Sequence, residues 1–261
     1  EATSDLCVKA AEKALTVAGM TIEDIDMIIV ATVTPDYPVQ STACLVQYKM
    51  GARNVPSFDV NAACSGFIYS LTIAGSMIRS GIYKNVLVIG AEVLSRILDM
   101  TNRSNCILFG DGAAAAVVSE VEEGYGMLST YLGAKGEDDY ILKIPAGGSK
   151  KPNDADTIAN RENFLVMKGS EVFKFAVHAL PSATNKALKI ANVKSEELKM
   201  IFPHQANVRI IESAAKRIHV TMDKFYMNIQ RYGNTSAASV GIALGEALEK
   251  GILEKGDLIA L

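Results

Sequence analysis

The stretch Asp59-Val60-Asn61-Ala62-Ala63-Cys64-Ser65-Gly66-Phe67 runs from a short strand into a helix that is apolar around most of its circumference, through Ile68, Leu71, Ile73, Ala74, Met77 and Ile78, and ends before Gly81. A helix without a polar face belongs in an interior. On either side lie short, continuously apolar runs rich in Val and Ile, Met27 to Val33 and Val86 to Ala91, the pattern of strands covered on both faces. Together they predict an α/β fold with a buried, largely parallel sheet against a central helix. Ahead of them, Leu6, Ala10, Ala14, Val17 and Ala18 fall at three- and four-residue steps, which predicts an amphipathic helix from Asp5 to Ala18 closed by Gly19.

The second half of the chain repeats this order. Met200-Ile201-Phe202 matches Met27 to Val33, the small-residue helix Asn234 to Leu248 matches the helix after Cys64, and Asp257 to Leu261 matches Val86 to Ala91. Cys64 precedes Val86 by 22 residues, and Asn234 precedes Leu258 by 24. We expect a degenerate duplication, residues 1–123 and 124–261, with the N-termini of the two central helices facing each other. The run from Gly124 to Asn160, rich in Gly, Lys, Asp and Pro, predicts loops between the halves.

A chain of 261 residues, 49% hydrophobic, is long enough for a large core. Its net charge of −3 gives no general reason to expect nucleic acid or a membrane surface as partner. No apolar run approaches the roughly 20 residues of a spanning helix. Cys7, Cys44, Cys64 and Cys106 form neither a zinc spacing nor a dense disulfide pattern, so a reducing, cytoplasmic setting and no metal are expected. The chain starts at Glu1 and stops inside a strand-like run, so both ends read as cut.

Three stretches carry chemistry. Cys64 falls at a helix start, where unpaired N–H groups and the helix dipole favour thiolate, the reactive form. Small neighbours at 62, 63, 65 and 66 leave room for a substrate chain. The other three cysteines read as buried structural residues. Pro203-His204-Gln205-Ala206-Asn207 follows a strand directly, so His204 projects from a strand's C-terminal end, where open α/β sheets place ligands; His178 and His219 read as ordinary. Tyr232-Gly233-Asn234-Thr235-Ser236 turns into a small-residue helix that Asn234 caps or addresses to a site. Phe109-Gly110-Asp111-Gly112-Ala113 is a glycine turn into a small-residue strand, without phosphate-loop spacing.

With these residues in place, the chain resembles the thiolase-fold condensing enzymes, and among them β-ketoacyl-acyl carrier protein synthase III. The resemblance rests on residues 62–67, Ser95-Arg96, residues 109–113, Pro203 to Ile211, and Gly233 to Ser239, in order along the chain. A Cys, His, Asn set is similar to the initiating type, whereas elongating synthases use two histidines. The resemblance implies duplicated halves in a layered αβαβα core. It also implies a leading segment with adenine contacts and a closing glycine-rich loop that supplies an oxyanion-hole N–H, neither of which this chain shows.

The implied reaction has two stages and needs no cofactor beyond its substrates. Cys64 takes an acyl group from acyl-coenzyme A; malonyl-acyl carrier protein then loses carbon dioxide and its carbanion attacks the acyl group, giving a 3-oxoacyl-acyl carrier protein. His204 and Asn234 donate to the enolate oxygen. By the same resemblance Arg103 and Asn207 contact coenzyme A or pantetheine, and Lys174, Arg209, Lys216 and Arg217 receive the acidic carrier protein. On the helix after His204, Val208, Ile211, Ala215 and Ile218 predict the apolar face; Lys174 belongs to a helix predicted from Glu171 to Leu180. The resemblance also implies a homodimer, in which the loop Thr34 to Gln40 crosses the interface to close the partner's acyl pocket. Val39 stands where acetyl-specific members carry phenylalanine, so four- or five-carbon and branched primers are expected. The alternatives are a polyketide starter or other thioester condensing enzyme, a papain-like Cys-His-Asn hydrolase and a non-catalytic partner subunit; the chain lacks tryptophan and the papain cysteine setting.

Overall fold

The computed structural model describes residues 1–136 and 141–261. Helix α1 (Thr3–Ala18) is followed by β1 (Met27–Ala31), α2 (Thr42–Met50), β2 (Ser57–Val60), α3 (Gly66–Arg79), β3 (Asn85–Glu92), the short α4 (Arg103–Cys106) and β4 (Gly112–Ser119). The predicted loop region, of which residues 137–140 lie outside the described residues, carries β5 (Leu142–Lys143) and α5 (Ala155–Ala159), and β6 (Val166–Met167) follows it. Then come α6 (Gly169–Ala191), β7 (Met200–Ile201), α7 (Val208–Ile218), α8 (Ile229–Tyr232), α9 (Ser239–Glu249) and β8 (Ile259–Ala260). No described helix is long and apolar enough to cross a membrane.

The first sheet has the order β2-β1-β3-β4, with β1 parallel to β2 and β3, and β4 antiparallel to β3. Because side chains alternate along a strand, β1 and β3 feed two cores. Ile28, Val30, Leu87 and Ile89 meet Cys7, Ala11 and Leu15 of α1 and Ala43 and Val46 of α2. Met27, Ile29, Val86 and Val88 meet Phe67 and Ala74 of α3 and Val240, Ala243 and Ala247 of α9. That second core continues to Phe202 and Tyr226, and the far side of β7 is closed by Ile211, Ala215 and Ile218 of α7 with Phe225. The result is five layers, α1/α2, sheet, α3/α9, sheet, α6/α7: the layered αβαβα arrangement.

The duplication is visible in the backbone. Met27 pairs with Val86 and Met200 with Ile259. Between them, a single 3-10 turn precedes each central helix, Ala63–Ser65 before α3 and Ser236–Ala238 before α9. Each turn starts on a non-glycine residue of positive φ, 45° at Ala63 and 46° at Ser236. Met27, Ala63 and Val86 are spaced as Met200, Ser236 and Ile259 are. The counterpart of Cys64 is therefore Ala237, and the pairing of Cys64 with Asn234 inferred from sequence intervals is corrected.

Other boundaries also move. β1 ends at Ala31 instead of running to Val33, because Thr32, Val33 and Thr34 spend hydrogen-bonding groups on the Glu92 carboxyl. The helix expected from Glu171 to Leu180 runs from Gly169 to Ala191 with Pro181 inside it. On α7 the buried face is Ile210, Ile211, Ala214, Ala215 and Ile218; Val208, expected in it, is exposed beside Asn207 and Arg209 at the helix start. Of the three cysteines expected to be buried, only Cys7 is; Cys44 and Cys106 are half-buried.

Candidate active site

Cys64 lies in the turn before α3, two residues ahead of the first helical residue, Gly66. Gly66 permits this placement: a Cβ there would stand 2.8 Å from the Cβ of Ala31, so only glycine lets the start of α3 press against the end of β1. From the other half, the Ser236–Ala238 turn lies equally close, for a Cβ on Gly90 of β3 would meet the Ala237 carbonyl oxygen at 2.4 Å. The two turns thus face each other over the C-terminal ends of β1 and β3.

His204 follows Phe202 and Pro203, both buried, just beyond β7. Its Nδ1 is buried without a partner, so the ring is oriented mainly by its backbone. Gln205, 1% exposed, pins that backbone. Its N–H donates to Ser239 Oγ at 2.8 Å, its side-chain amide donates to the carbonyls of Pro203 and Tyr226, each at 3.0 Å, and its oxygen accepts from Asn228 N at 3.1 Å. Asn228 in turn donates to Glu246, which also pairs with Arg231 and Lys250.

His204 and Cys64 lie close enough that the charge of each acts on the other. Burial opposes charging the thiol, but the His204 charge and hydrogen bond, with a further bond from Ser236, outweigh it and hold Cys64 below its ordinary thiol range. Burial likewise opposes charging the imidazole, and the Cys64 thiolate outweighs it and raises His204. Each charge of the pair therefore favours the other. Cys7 shows the contrast: burial pushes its thiol far up, as befits a core residue.

Asn234 is sewn to the glycine turn at Phe109. Its N–H donates to Leu108 O at 2.9 Å, and its carbonyl accepts from Gly110 N at 3.0 Å. Its Oδ1 accepts from Ser236 N at 2.8 Å. Asn234 does not cap the following helix, which starts at Ser239 and not at Asn234; its oxygen is spent on the turn ahead of that helix, and the remaining group of the amide is a donor, Nδ2. Through Ser236, Asn234 joins the Cys64–His204 pair.

The more distant candidates are spread out. Arg103 is exposed at the first residue of α4, and Asn207 is exposed while capping α7 through its Oδ1, which accepts from Arg209 N at 2.9 Å. Lys174 and Arg217 meet at an open groove of about 1180 Å³ along α6, where Lys174 pairs with Glu171 at 3.0 Å and Arg217 lies 2.8 Å from His178 Nδ1. Arg209 and Lys216 are exposed on α7 and do not line that groove. Val39 is 97% exposed on the loop before α2, and Tyr37 is 58% exposed. Sequence reading passed over two residues of the centre, Glu92 and Ser236. The signal for Glu92 was an acid closing an otherwise apolar strand.

Residues 58–136 match the family model of 3-oxoacyl-(acyl-carrier-protein) synthase III, and residues 188–261 match the model of its C-terminal part. The β-ketoacyl-(acyl-carrier-protein) synthase III of Fusobacterium nucleatum is 63% identical over 261 residues, covering 100% of this chain and 80% of that protein. The crystal structure of 3-oxoacyl-(acyl-carrier-protein) synthase III from Aquifex aeolicus superposes with a TM-score of 0.89 at 45% identity, covering 99% of this chain and 79% of that one. The priming β-ketosynthase of the R1128 polyketide pathway gives a TM-score of 0.79 at 30% identity, over 96% of this chain and 74% of its own. The chain therefore belongs to the 3-oxoacyl-(acyl-carrier-protein) synthase III family of thiolase-fold, acyl-transferring condensing enzymes.

Proposed function

We propose that this protein starts fatty acid synthesis by condensing an acyl group from acyl-coenzyme A with malonyl-acyl carrier protein. The observation that carries this reading is that the two facing turns bring Cys64 near His204, each favouring the other's charged form, with Asn234 bonded to the second turn. The Cys64 sulfur attacks the thioester carbonyl, the bond to coenzyme A breaks, and the acyl group stays on sulfur. In the second stage the malonyl group loses carbon dioxide, the enolate oxygen is stabilised by donors from His204 and Asn234, and the carbanion displaces Cys64 from the acyl carbonyl. Arg103 and Asn207 hold the coenzyme A or pantetheine arm. Lys174, Arg209, Lys216 and Arg217 form the basic reception for the carrier protein, and Lys174 and Arg217 already share a groove.

In this reading the enzyme is a cytoplasmic homodimer, a setting that fits four free thiols. Val39 and Tyr37, apolar and exposed on one loop, suit cover by a second copy, and Val39 lines the partner's acyl pocket. The test is intact-protein mass spectrometry after exposure to acyl-coenzyme A thioesters, with peptide mapping. The mass increase is expected on Cys64 and is lost in Cys64→Ala, which still decarboxylates malonyl-acyl carrier protein. Acylation that survives in Cys64→Ala would sink the assignment.

A further inference from the structure

The chain leaves the second sheet at Phe202, whose N–H donates to Ala260 O at 2.8 Å, and Pro203 has no N–H to continue the ladder. What holds His204 beyond that point is the neighbouring side chain. Both amide protons of Gln205 are spent on carbonyls, those of Pro203 and Tyr226, each at 3.0 Å, and its oxygen accepts from Asn228 N at 3.1 Å. The Ala206 N–H closes on the His204 carbonyl at 3.0 Å. His204 thus sits in a small loop fastened on either side of it. Two further bonds run to α9. The Gln205 N–H donates to Ser239 Oγ at 2.8 Å, and Asn228 Nδ2 donates to Glu246 at 2.9 Å. Ser239, 2% exposed, and Glu246, 9% exposed, are seven residues apart, which places them two turns apart on one face of the helix.

The surroundings of this network are apolar: Phe202 and Tyr226 pack with Val240, Ala243 and Ala247. Such contacts are non-directional and leave a helix free to shift along its neighbour, whereas a buried, satisfied set of hydrogen bonds fixes one arrangement. What is fixed here reaches the second turn. α9 is entered through the Ser236–Ala238 turn, and Asn234 Oδ1 accepts from Ser236 N at 2.8 Å. Ser239 therefore ties the backbone of His204 to the segment that carries Asn234. The buried His204 Nδ1 has no hydrogen-bond partner among the described residues, so no bond at that atom turns the ring, and its direction follows the backbone. We propose that Ser239 is a positioning residue for the condensation: through Gln205 it sets the spacing of His204 and Asn234, and with it the convergence of their two donors on the enolate oxygen. The proposal rests on the reading of His204 and Asn234 as those donors; Ser239 acts through them and not on the substrate. Misplacing such a group by about 1 Å costs up to about a hundredfold in rate.

The test measures carbon dioxide release from malonyl-acyl carrier protein by the full chain. Ser239→Ala removes one oxygen and leaves the Gln205 N–H unpaired. Its kcat is expected to fall about ten- to a hundredfold with KM little changed, the mark of an interaction realised in the transition state. In a His204→Ala background, where no pair of donors is left to space, the same substitution is expected to cost less than about twofold. Ser239→Thr keeps the oxygen and is expected to restore the rate. Ser239→Cys offers only a weak acceptor and is expected to lose it as alanine does. These two variants keep the contrast should Ser239→Ala fail to fold. A serine that only supports the fold lowers Tm and leaves kcat of the folded enzyme unchanged, or gives the same loss in both backgrounds. Either result overturns the proposal, as does a threonine variant no faster than the cysteine one. Full decarboxylation by His204→Ala overturns the assignment of the donors, a result distinct from these.

Discussion

Asn234 carries two jobs that two substitutions separate. Its Oδ1 accepts from Ser236 N at 2.8 Å, and its Nδ2 is the proposed donor to the enolate. Asn234→Ala removes both. The lost turn bond is expected to cost about 1 kcal/mol, which in a chain of this size lowers Tm by about 2–4 °C. The backbone bonds of Asn234 to Leu108 and Gly110 remain, so the damage stays local. Asn234→Asp keeps the acceptor and is expected to hold Tm near wild type, but replaces the donor by an anion where negative charge develops. Losing one such donor costs about 2.7–4 kcal/mol, or about a hundred- to a thousandfold in rate. Both variants are therefore expected to lose decarboxylation of malonyl-acyl carrier protein by at least that factor, while acylation of Cys64 is largely kept. The assays are calorimetric Tm, carbon dioxide release and intact mass after acyl-coenzyme A. Decarboxylation by Asn234→Asp within about threefold of wild type, set against that factor, would refute the reasoning.

Charge reversal at Arg209 is expected to weaken the carrier-protein step and its salt dependence while sparing acylation from acetyl-coenzyme A; equal damage to both steps argues against docking. Val39→Phe is expected to cut kcat/KM for butyryl- and isobutyryl-coenzyme A relative to acetyl, since each buried primer methylene contributes about 0.8 kcal/mol. A wild type already strict for acetyl and unchanged by the substitution removes that idea. Gly90→Ala brings a Cβ to 2.4 Å from Ala237 O and is expected to destabilise by about 1–3 kcal/mol, read from the urea midpoint. An unchanged midpoint would mean that the second turn yields freely.

The sequence was most readable where a single periodicity decides the structure. Residues 27–31 and 86–91 are apolar without interruption because both faces are covered, and α1 shows its stripe because only one face is. The neighbourhood of Cys64 was readable because small residues cluster where two turns meet. Less readable was α6, where Pro181 argues for a stop by local rules and the helix nevertheless continues to Asn192, a left-handed cap in the position that Gly19 holds after α1. The true repeat also escaped, because Ala63 and Ser236 share a backbone conformation and no side-chain chemistry. The burial of Glu92 against Thr32, Val33 and Thr34 depends on two distant segments lying side by side, which no local pattern encodes. Asn207 illustrates the limit from the other side: the motif drew attention to it, and the fold uses its oxygen as a helix cap.

The equivalence of Cys64 and Ala237 has an evolutionary reading. A duplication gives both turns the same starting residue and leaves either able to acquire chemistry. Once one copy held the sulfur, the other was freed from reactivity but not from shape, because its carbonyl rests on Gly90. Selection on residue 237 then acts on volume alone, whereas selection on 64 acts on an element. Two positions born identical have come to record different histories, one of geometry and one of reaction.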